Sequence, residues 1–418
     1  MPLSIPSPRP GMRQVLSNRN FRLLWLGQSL SNFGDGMNNL ALLLLIEHLT
    51  GSTTALATAA VLMALPRILF GPFAGVYADR QSRKRLMILS DLARGFLVLG
   101  YILVSRPEQI WILYLVGFLQ ASVSTFFTPA RSAFVANLLP EDALLTANSL
   151  SQTSQILMNL LGMAVVGALV GARGLYWPAF VVDSLTFFAS LTLVSRIRAT
   201  ARQTAQTQTT WQVMWRETRA GARVIFHSRV LLGILAGAGI AMLGLGAINI
   251  LFVPLLVKDL QVPPTWFSAV QGAQTAAMIL SGGAATALAS KLHPTHIVSL
   301  ALVGLGIGIG LIASVHSIVQ VLVLVFGLGL FITPLNAAIA TLTQISVADA
   351  LRGRVGASLN MLVTTANIAS MAAAGMLADS LGTRAVFVLA GGLSIAAGAL
   401  AAWLFHGLPQ SQAFTSKS

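Results

Sequence analysis

The stretch Gly75-Val76-Tyr77-Ala78-Asp79-Arg80-Gln81-Ser82-Arg83-Lys84-Arg85 sets a glycine near the end of one apolar segment, 54–78, and an acid and four bases between it and the next, 86–105. Each segment supplies the 20 or so mostly apolar residues that a helix needs to cross a hydrocarbon core roughly 30 Å thick. A short polar turn between two such segments predicts a helical hairpin bending at one face of a membrane.

Working outward from this hairpin, ten further segments meet the same requirement: 22–46, 110–130, 146–170, 175–195, 231–257, 266–290, 296–314, 317–341, 356–377 and 384–405. The composition agrees. Hydrophobic residues make up 55% and charged residues 9% of the 418, too few charges to cover a soluble chain of this length. The segments are about twice as long as a barrel strand and lack its alternation, so the expected class is an all-α polytopic membrane protein with twelve transmembrane helices.

Between the sixth and seventh segments lies the longest polar connection, opening with the Thr/Gln-rich run 200–210. After it, Trp211, Met214, Val224, Ile225 and Phe226 alternate with Arg216, Arg219 and Arg223, as in a basic amphipathic helix at a membrane surface. The expected organisation is a tail at 1–21, a six-helix bundle at 22–195, a central loop at 196–230, a second six-helix bundle at 231–405 and a tail at 406–418.

The formal charge of +14 is a topology signal. With a cytoplasmic N-terminus, 20 of the 26 Lys and Arg fall on the cytoplasmic side and four, Arg106, Arg173, Lys258 and Arg384, on the other. The positive-inside rule then places both termini in the cytoplasm of a multi-pass inner (plasma) membrane protein. No nucleic-acid motif accompanies the charge. The first helix is too long for a signal-peptide core and lacks a cleavage pattern, so it is read as retained. The absence of cysteine excludes disulfides, thiolate metal sites and a Cys nucleophile.

The halves echo one another: Phe127-Thr128-Pro129-Ala130-Arg131-Ser132-Ala133 aligns with Ile332-Thr333-Pro334-Leu335-Asn336-Ala337-Ala338. Such internal repeats are common in transporters.

The turn quoted first resembles the signature loop of the major facilitator superfamily, G-x-x-x-D-R-x-G-R-K, through Gly75, Asp79, Arg80, Arg83 and Lys84. Ser82 stands where that pattern has glycine. The twelve segments, the six-plus-six division and the basic central loop extend the resemblance over the whole chain. Further phrases, Phe127 to Ala133, Ala147-Asn148-Ser149 and Arg352-Gly353-Arg354-Val355, are similar to the branch containing macrolide efflux proteins and the enterobactin exporter. The resemblance implies two six-helix pseudo-repeat bundles in the major facilitator fold and a proton-driven exporter of drug-like or siderophore-like cargo. It also implies a gating latch at Asp79, with Arg131, Arg352 and Arg354 as cytoplasmic loop contacts.

Ionisable groups inside hydrocarbon cost about 2.5 kcal/mol or more, so each is a candidate for function. Asp35 lies 13 residues into the first segment, about 19 Å deep at 1.5 Å per residue. Asp183, Arg67 and Arg94 fall at comparable depths, and these four are the expected proton-coupling set. Desolvation favours the neutral carboxyl and a nearby guanidinium the ionised one, so switching access could load and unload a proton at Asp35. The competing reading is a static ion pair, Asp35 with Arg67 or Asp183 with Arg94, holding helices in register. Asp91, one turn from Arg94, offers a further i,i+3 pair.

These observations favour a secondary transporter, most simply a proton-coupled antiporter exporting amphipathic small molecules. Uptake or facilitated diffusion of a metabolite or lipid is the alternative. Enzymatic function is not expected: the six His are scattered, no metal ligand set is present, and no phosphate-binding loop supports direct ATP drive. No cofactor is expected; the partners are the small-molecule cargo, protons and lipid, with the chain acting as a monomer.

Overall fold

A computed structural model describes residues 11–198, 223, 226, 229–289, 292–347 and 349–406. The central run 200–210 and the amphipathic segment, apart from isolated positions, lie outside the described residues, as do Lys417 and Lys291.

Among the described residues the structure is helical, with no strand. A short α1 (Met12–Ser17) precedes α2 (Arg19–Thr50), α3 (Thr53–Arg80), α4 (Arg83–Leu99), α5 (Ile110–Leu138), α6 (Glu141–Arg173) and α7 (Trp177–Ser195). Then follow α8 (Arg229–Pro254), α9 (Trp266–Ala289), α10 (Pro294–Ile312), α11 (Ile318–Ser346), α12 (Asp349–Leu381) and α13 (Thr383–Phe405). Each of the twelve segments read from sequence coincides with one helix from α2 to α13. Nine of these, all but α2, α8 and α9, are long and apolar enough to cross a membrane by length and composition alone.

Their surfaces show what solvent they are built for. Leu89, Phe96, Leu185, Val323 and Trp403 are each 60–72% exposed, on helices whose opposite faces are also apolar. A soluble helix covers its outer face with charge; apolar residues all round belong to a helix in lipid.

The chain divides into two compact units, one comprising Met1–Leu49 with Leu62–Thr209 and the other Thr50–Val61 with Thr210–Ser418. In the first, α4 packs on α5 and α7. A core of Phe21, Leu24, Met87, Phe127, Phe134, Ala147 and Val194 ties together residues of α2, α4, α5, α6 and α7. α2 meets α6 with almost no space between backbones: a Cβ built on Gly162 would lie 2.2 Å from the Phe33 carbonyl oxygen. Lipid offers no hydrophobic drive for helix association, so such close backbone contact carries the packing.

In the second unit α10 packs on α13 and α11, α9 on α11, and α8 on α12 and α13. α10 and α13 cross at Gly306 and Gly391, whose backbones approach closely. Thr50–Val61, the start of α3 with its preceding turn, groups with this unit. Both α5 and α11 are 29 residues long with an internal proline, Pro129 and Pro334, and both α6 and α12 run for 33.

One boundary changes a reading. The sequence expectation ends the fourth segment at residue 130 and leaves Arg131 as a cytoplasmic loop contact; instead α5 continues through Pro129 to Leu138, so Arg131 is two turns inside the helix. Proline is tolerated in membrane helices where hydroxyls stabilise the interrupted turn. Around Pro129, Thr128 Oγ1 donates to the Ser124 carbonyl at 3.2 Å and Ser132 Oγ to the Thr128 carbonyl at 3.1 Å, on either side of the Thr125 carbonyl that the proline leaves without its helical donor.

Candidate functional site

The buried charges of the first unit gather where α2, α4 and α7 come together. Asp91 on α4 is fully buried and pairs with Arg94 one turn on, while Ser190 Oγ of α7 donates to its other oxygen at 2.7 Å. The Arg94 guanidinium lies between two rings, 4.5 Å from the Phe127 centroid and 4.3 Å from that of Phe187. Two aromatic faces and one carboxylate together offset its removal from water. The i,i+3 pair anticipated for Asp91 and Arg94 therefore forms, and neither longer ion bridge does: Arg94 bonds Asp91 rather than Asp183.

Asp183, on α7, is 0% exposed and neither of its carboxyl oxygens has a hydrogen-bond partner among the described residues. Thr186 Oγ1 donates instead to the Asp183 backbone carbonyl at 2.7 Å. On the facing side of α2, Gly34 brings the backbone so near that a Cβ there would stand 2.5 Å from Asp183 Oδ1. The next residue is Asp35, half-buried and without a hydrogen bond or ion pair among the described residues. Asp35 and Asp183 lie within electrostatic range of each other and of Arg94. Three acids and one arginine thus share a site in which a second ionised carboxylate would lack compensation.

Arg67 does not join them. It sits on an exposed face of α3, with no hydrogen bond or ion pair among the described residues. No cluster of His, Asp and Glu among the described residues could hold a metal ion.

At the signature turn, Arg83 donates to the Ala133 carbonyl of α5 at 3.0 Å, and Lys84 to the Ser195 and Ile197 carbonyls at the end of α7 at 2.7 and 2.8 Å. Lys84 therefore tethers α4 to the carbonyls at the end of α7, where a cation complements the helix dipole, while Arg83 ties it to α5 more than a turn before that helix ends. Ser82 has φ −61°, which any residue adopts, so glycine is not needed at that position. Nor does packing require Gly75, where an added Cβ would meet nothing within 4 Å. Arg80 is exposed at the end of α3. The side chains of Asp79, Arg352 and Arg354 lie outside the described residues, and the proposed latch with them. Lys84→Ala should raise amide hydrogen exchange over Ser195–Arg198 about three- to tenfold, the expected loss for charge-assisted bonds at a helix end, measured by exchange mass spectrometry.

Sequence reasoning missed Asp379. In the second unit its carboxylate accepts from Ser52 Oγ at 2.7 Å, the Thr53 amide at 2.9 Å and the Thr54 amide at 3.0 Å, capping the start of α3. Beside it, Thr54 Oγ1 donates to the Gly375 carbonyl at 3.1 Å and Lys258 Nζ to that of Gly51. A cap of this kind is worth about 1 kcal/mol. Asp379→Ala should therefore speed exchange at Thr53–Ala57 by roughly five- to tenfold and leave the α4–α7 contacts unchanged.

Comparison with known proteins fits this architecture. The sequence model described as Major Facilitator Superfamily matches residues 24–245 and 234–417. The MFS-type transporter YfiS of Bacillus subtilis (strain 168) is 26% identical over 392 residues, 91% of this chain and 92% of its own. Macrolide efflux protein A of Streptococcus pyogenes is 28% identical over 241 residues, 57% of this chain and 59% of that protein. The crystal structure of the nucleoside transporter NupG superposes with a TM-score of 0.77, covering 93% of this chain and 99% of that one at 12% identity, which establishes the shared fold. With nine helices among the described residues long and apolar enough to cross a membrane, and a family match over almost its whole length, this chain belongs to the Major Facilitator Superfamily of membrane transporters.

Proposed function

We propose that this transporter is a proton-coupled exporter of amphipathic small molecules, working by alternating access, with its termini in the cytoplasm of the inner membrane. The carrying observation is the acid cluster of the first unit. The Asp183 carboxyl is wholly buried with no hydrogen-bond partner among the described residues, and Asp35 is half-buried beside it within range of Arg94. A carboxyl that trades a proton between two accessible sides converts a proton gradient into cargo movement. The similarity to macrolide efflux protein A supports outward transport.

In this reading Asp35 exchanges the proton, Asp183 shares it, and Arg94, held by Asp91 and two rings, supplies the fixed positive charge against which both acids balance. Arg67 has no part in the exchange.

The test is accumulation of macrolides, cationic dyes and a catechol siderophore in an efflux-deficient bacterium expressing the protein, with and without a protonophore. Lower accumulation of one cargo class, abolished by the protonophore, supports the proposal. Equal accumulation of every compound with expression confirmed, or accumulation that rises with the protein, favours uptake or facilitated diffusion of a metabolite or lipid.

A further inference from the structure

A second polar pocket lies in the first unit, one helical turn from Asp35 and joined to the acid cluster through Gln28, whose Nε2 donates at 3.5 Å to the Ser190 hydroxyl that bonds Asp91. Its walls come from α2, α5 and α6 and include Trp25, Gln28, Ser29, Asn32, Arg131 and Asn148. No acid lines it. Arg131 is half-buried and makes one hydrogen bond, at 3.5 Å to Gln28 Oε1, with no ion pair among the described residues. Ser29 Oγ is buried without any partner among them. Asn32 and Asn148 likewise make no side-chain hydrogen bond there, while Trp25 closes one side, its Nε1 donating to Ser154 Oγ at 3.0 Å.

The contrast with Arg94 is informative. That guanidinium has its carboxylate and two ring faces, so its charge is balanced internally. Arg131 has five N–H donors and only a long contact to a neutral amide, beside a buried hydroxyl and two amides whose donors are unspent. A desolvated cation that the protein leaves uncompensated is compensated by what binds there. We infer that this pocket, with a volume of about 40 Å³, is an anion-accepting site in which Arg131, with Ser29, Asn32 and Asn148, receives a carboxylate or similar oxyanion of the cargo, the apolar remainder lying outside it.

The inference rests on the transporter reading but not on proton coupling, and it narrows the cargo to amphipathic molecules carrying an acidic group. Asn32 is one turn from Asp35, so an anion at Arg131 would sit within reach of the acid that exchanges the proton. An anionic lipid headgroup presents the same chemistry, and the test separates the two sources.

The full chain, purified into phosphatidylcholine nanodiscs, is titrated with 1-naphthylacetate and with its neutral isostere 1-naphthylacetamide, in the absence of any proton gradient. Wild type should bind the acid at least tenfold more tightly than the amide. Arg131→Gln should bind both equally, Arg131→Lys should keep part of the preference, and Arg67→Gln should keep all of it. If the headgroup is the occupant, nanodiscs of phosphatidylglycerol will suppress naphthylacetate binding in wild type and leave Arg131→Gln unaffected. Should Arg131→Gln not yield monodisperse protein, the double variant Asn32→Leu with Asn148→Leu must weaken acid binding at least threefold. Equal binding of acid and amide by wild type, or an acid preference that survives in Arg131→Gln or in the double variant, overturns the assignment. Because no gradient is applied, a negative result here leaves the proton-coupling proposal standing, and failure of coupling leaves this site standing.

Discussion

Asp35→Asn should abolish uphill export, returning cargo accumulation in cells to the level without the transporter, while protein yield and downhill exchange of cargo persist. The substitution keeps the size and hydrogen-bonding capacity of the half-buried side chain but removes its ability to take and give a proton. One proton moving down a gradient of one pH unit supplies about 1.4 kcal/mol, a tenfold concentration ratio for one-for-one exchange. The variant should bring that ratio to unity. Asp91→Asn should behave differently. It removes the carboxylate that balances Arg94, leaving a buried cation with only ring faces, so the expected outcome is loss of folded protein rather than selective loss of coupling. Export assays read alongside size-exclusion profiles distinguish the two.

Gly162→Val is the substitution with the largest structural effect. Its Cβ would sit 2.2 Å from the Phe33 carbonyl oxygen and 2.9 Å from the Met37 amide nitrogen, both backbone atoms that no rotamer change can move aside. α2 and α6 would have to separate, taking Asp35 away from Asp183. Overpacking ordinarily costs about 1–3 kcal/mol, and a clash with backbone belongs at or above the top of that range. The variant should melt well below wild type or fail to fold in detergent. Gly272→Val is the control: a Cβ there meets nothing within 4 Å, and its melting temperature should change little.

How much of this was legible in the sequence differs from element to element. Hydropathy located α2 to α13 because burial in lipid is a composition requirement. It misplaced their polar ends, since hydropathy measures the apolar stretch and not the helix. α5 runs on through Arg131 to Leu138, and α6 and α12 begin at Glu141 and Asp349, several residues before the apolar segments at 146 and 356. Depth along the helix placed Asp35, Asp183 and Arg94 at one level, and they lie within electrostatic range of one another, but depth carries no information on rotation. Arg67 is at similar depth but lies on an exposed face of α3, because at about 100° per residue a single position decides which face a side chain takes. Arg94 bonds Asp91 because an i,i+3 partner on the same helix needs no second helix to be positioned. Asp379 left a trace that went unread: Gly375-Met376-Leu377-Ala378-Asp379 repeats the glycine, alanine and acid spacing of Gly75-Val76-Tyr77-Ala78-Asp79. Its role as a cap on α3 depends on a tertiary contact that the spacing alone does not disclose.

The central claim, that cargo and proton move together through the acid cluster, is tested most directly in proteoliposomes holding a pH-sensitive dye. Cargo is added to one side with no imposed proton gradient, and lumenal pH is followed for wild type and Asp35→Asn. Proton movement opposite to cargo in wild type, absent in Asp35→Asn although labelled cargo still exchanges, is the predicted result. Cargo flux through wild type with no change in lumenal pH, or an equal pH response in Asp35→Asn, would contradict the account.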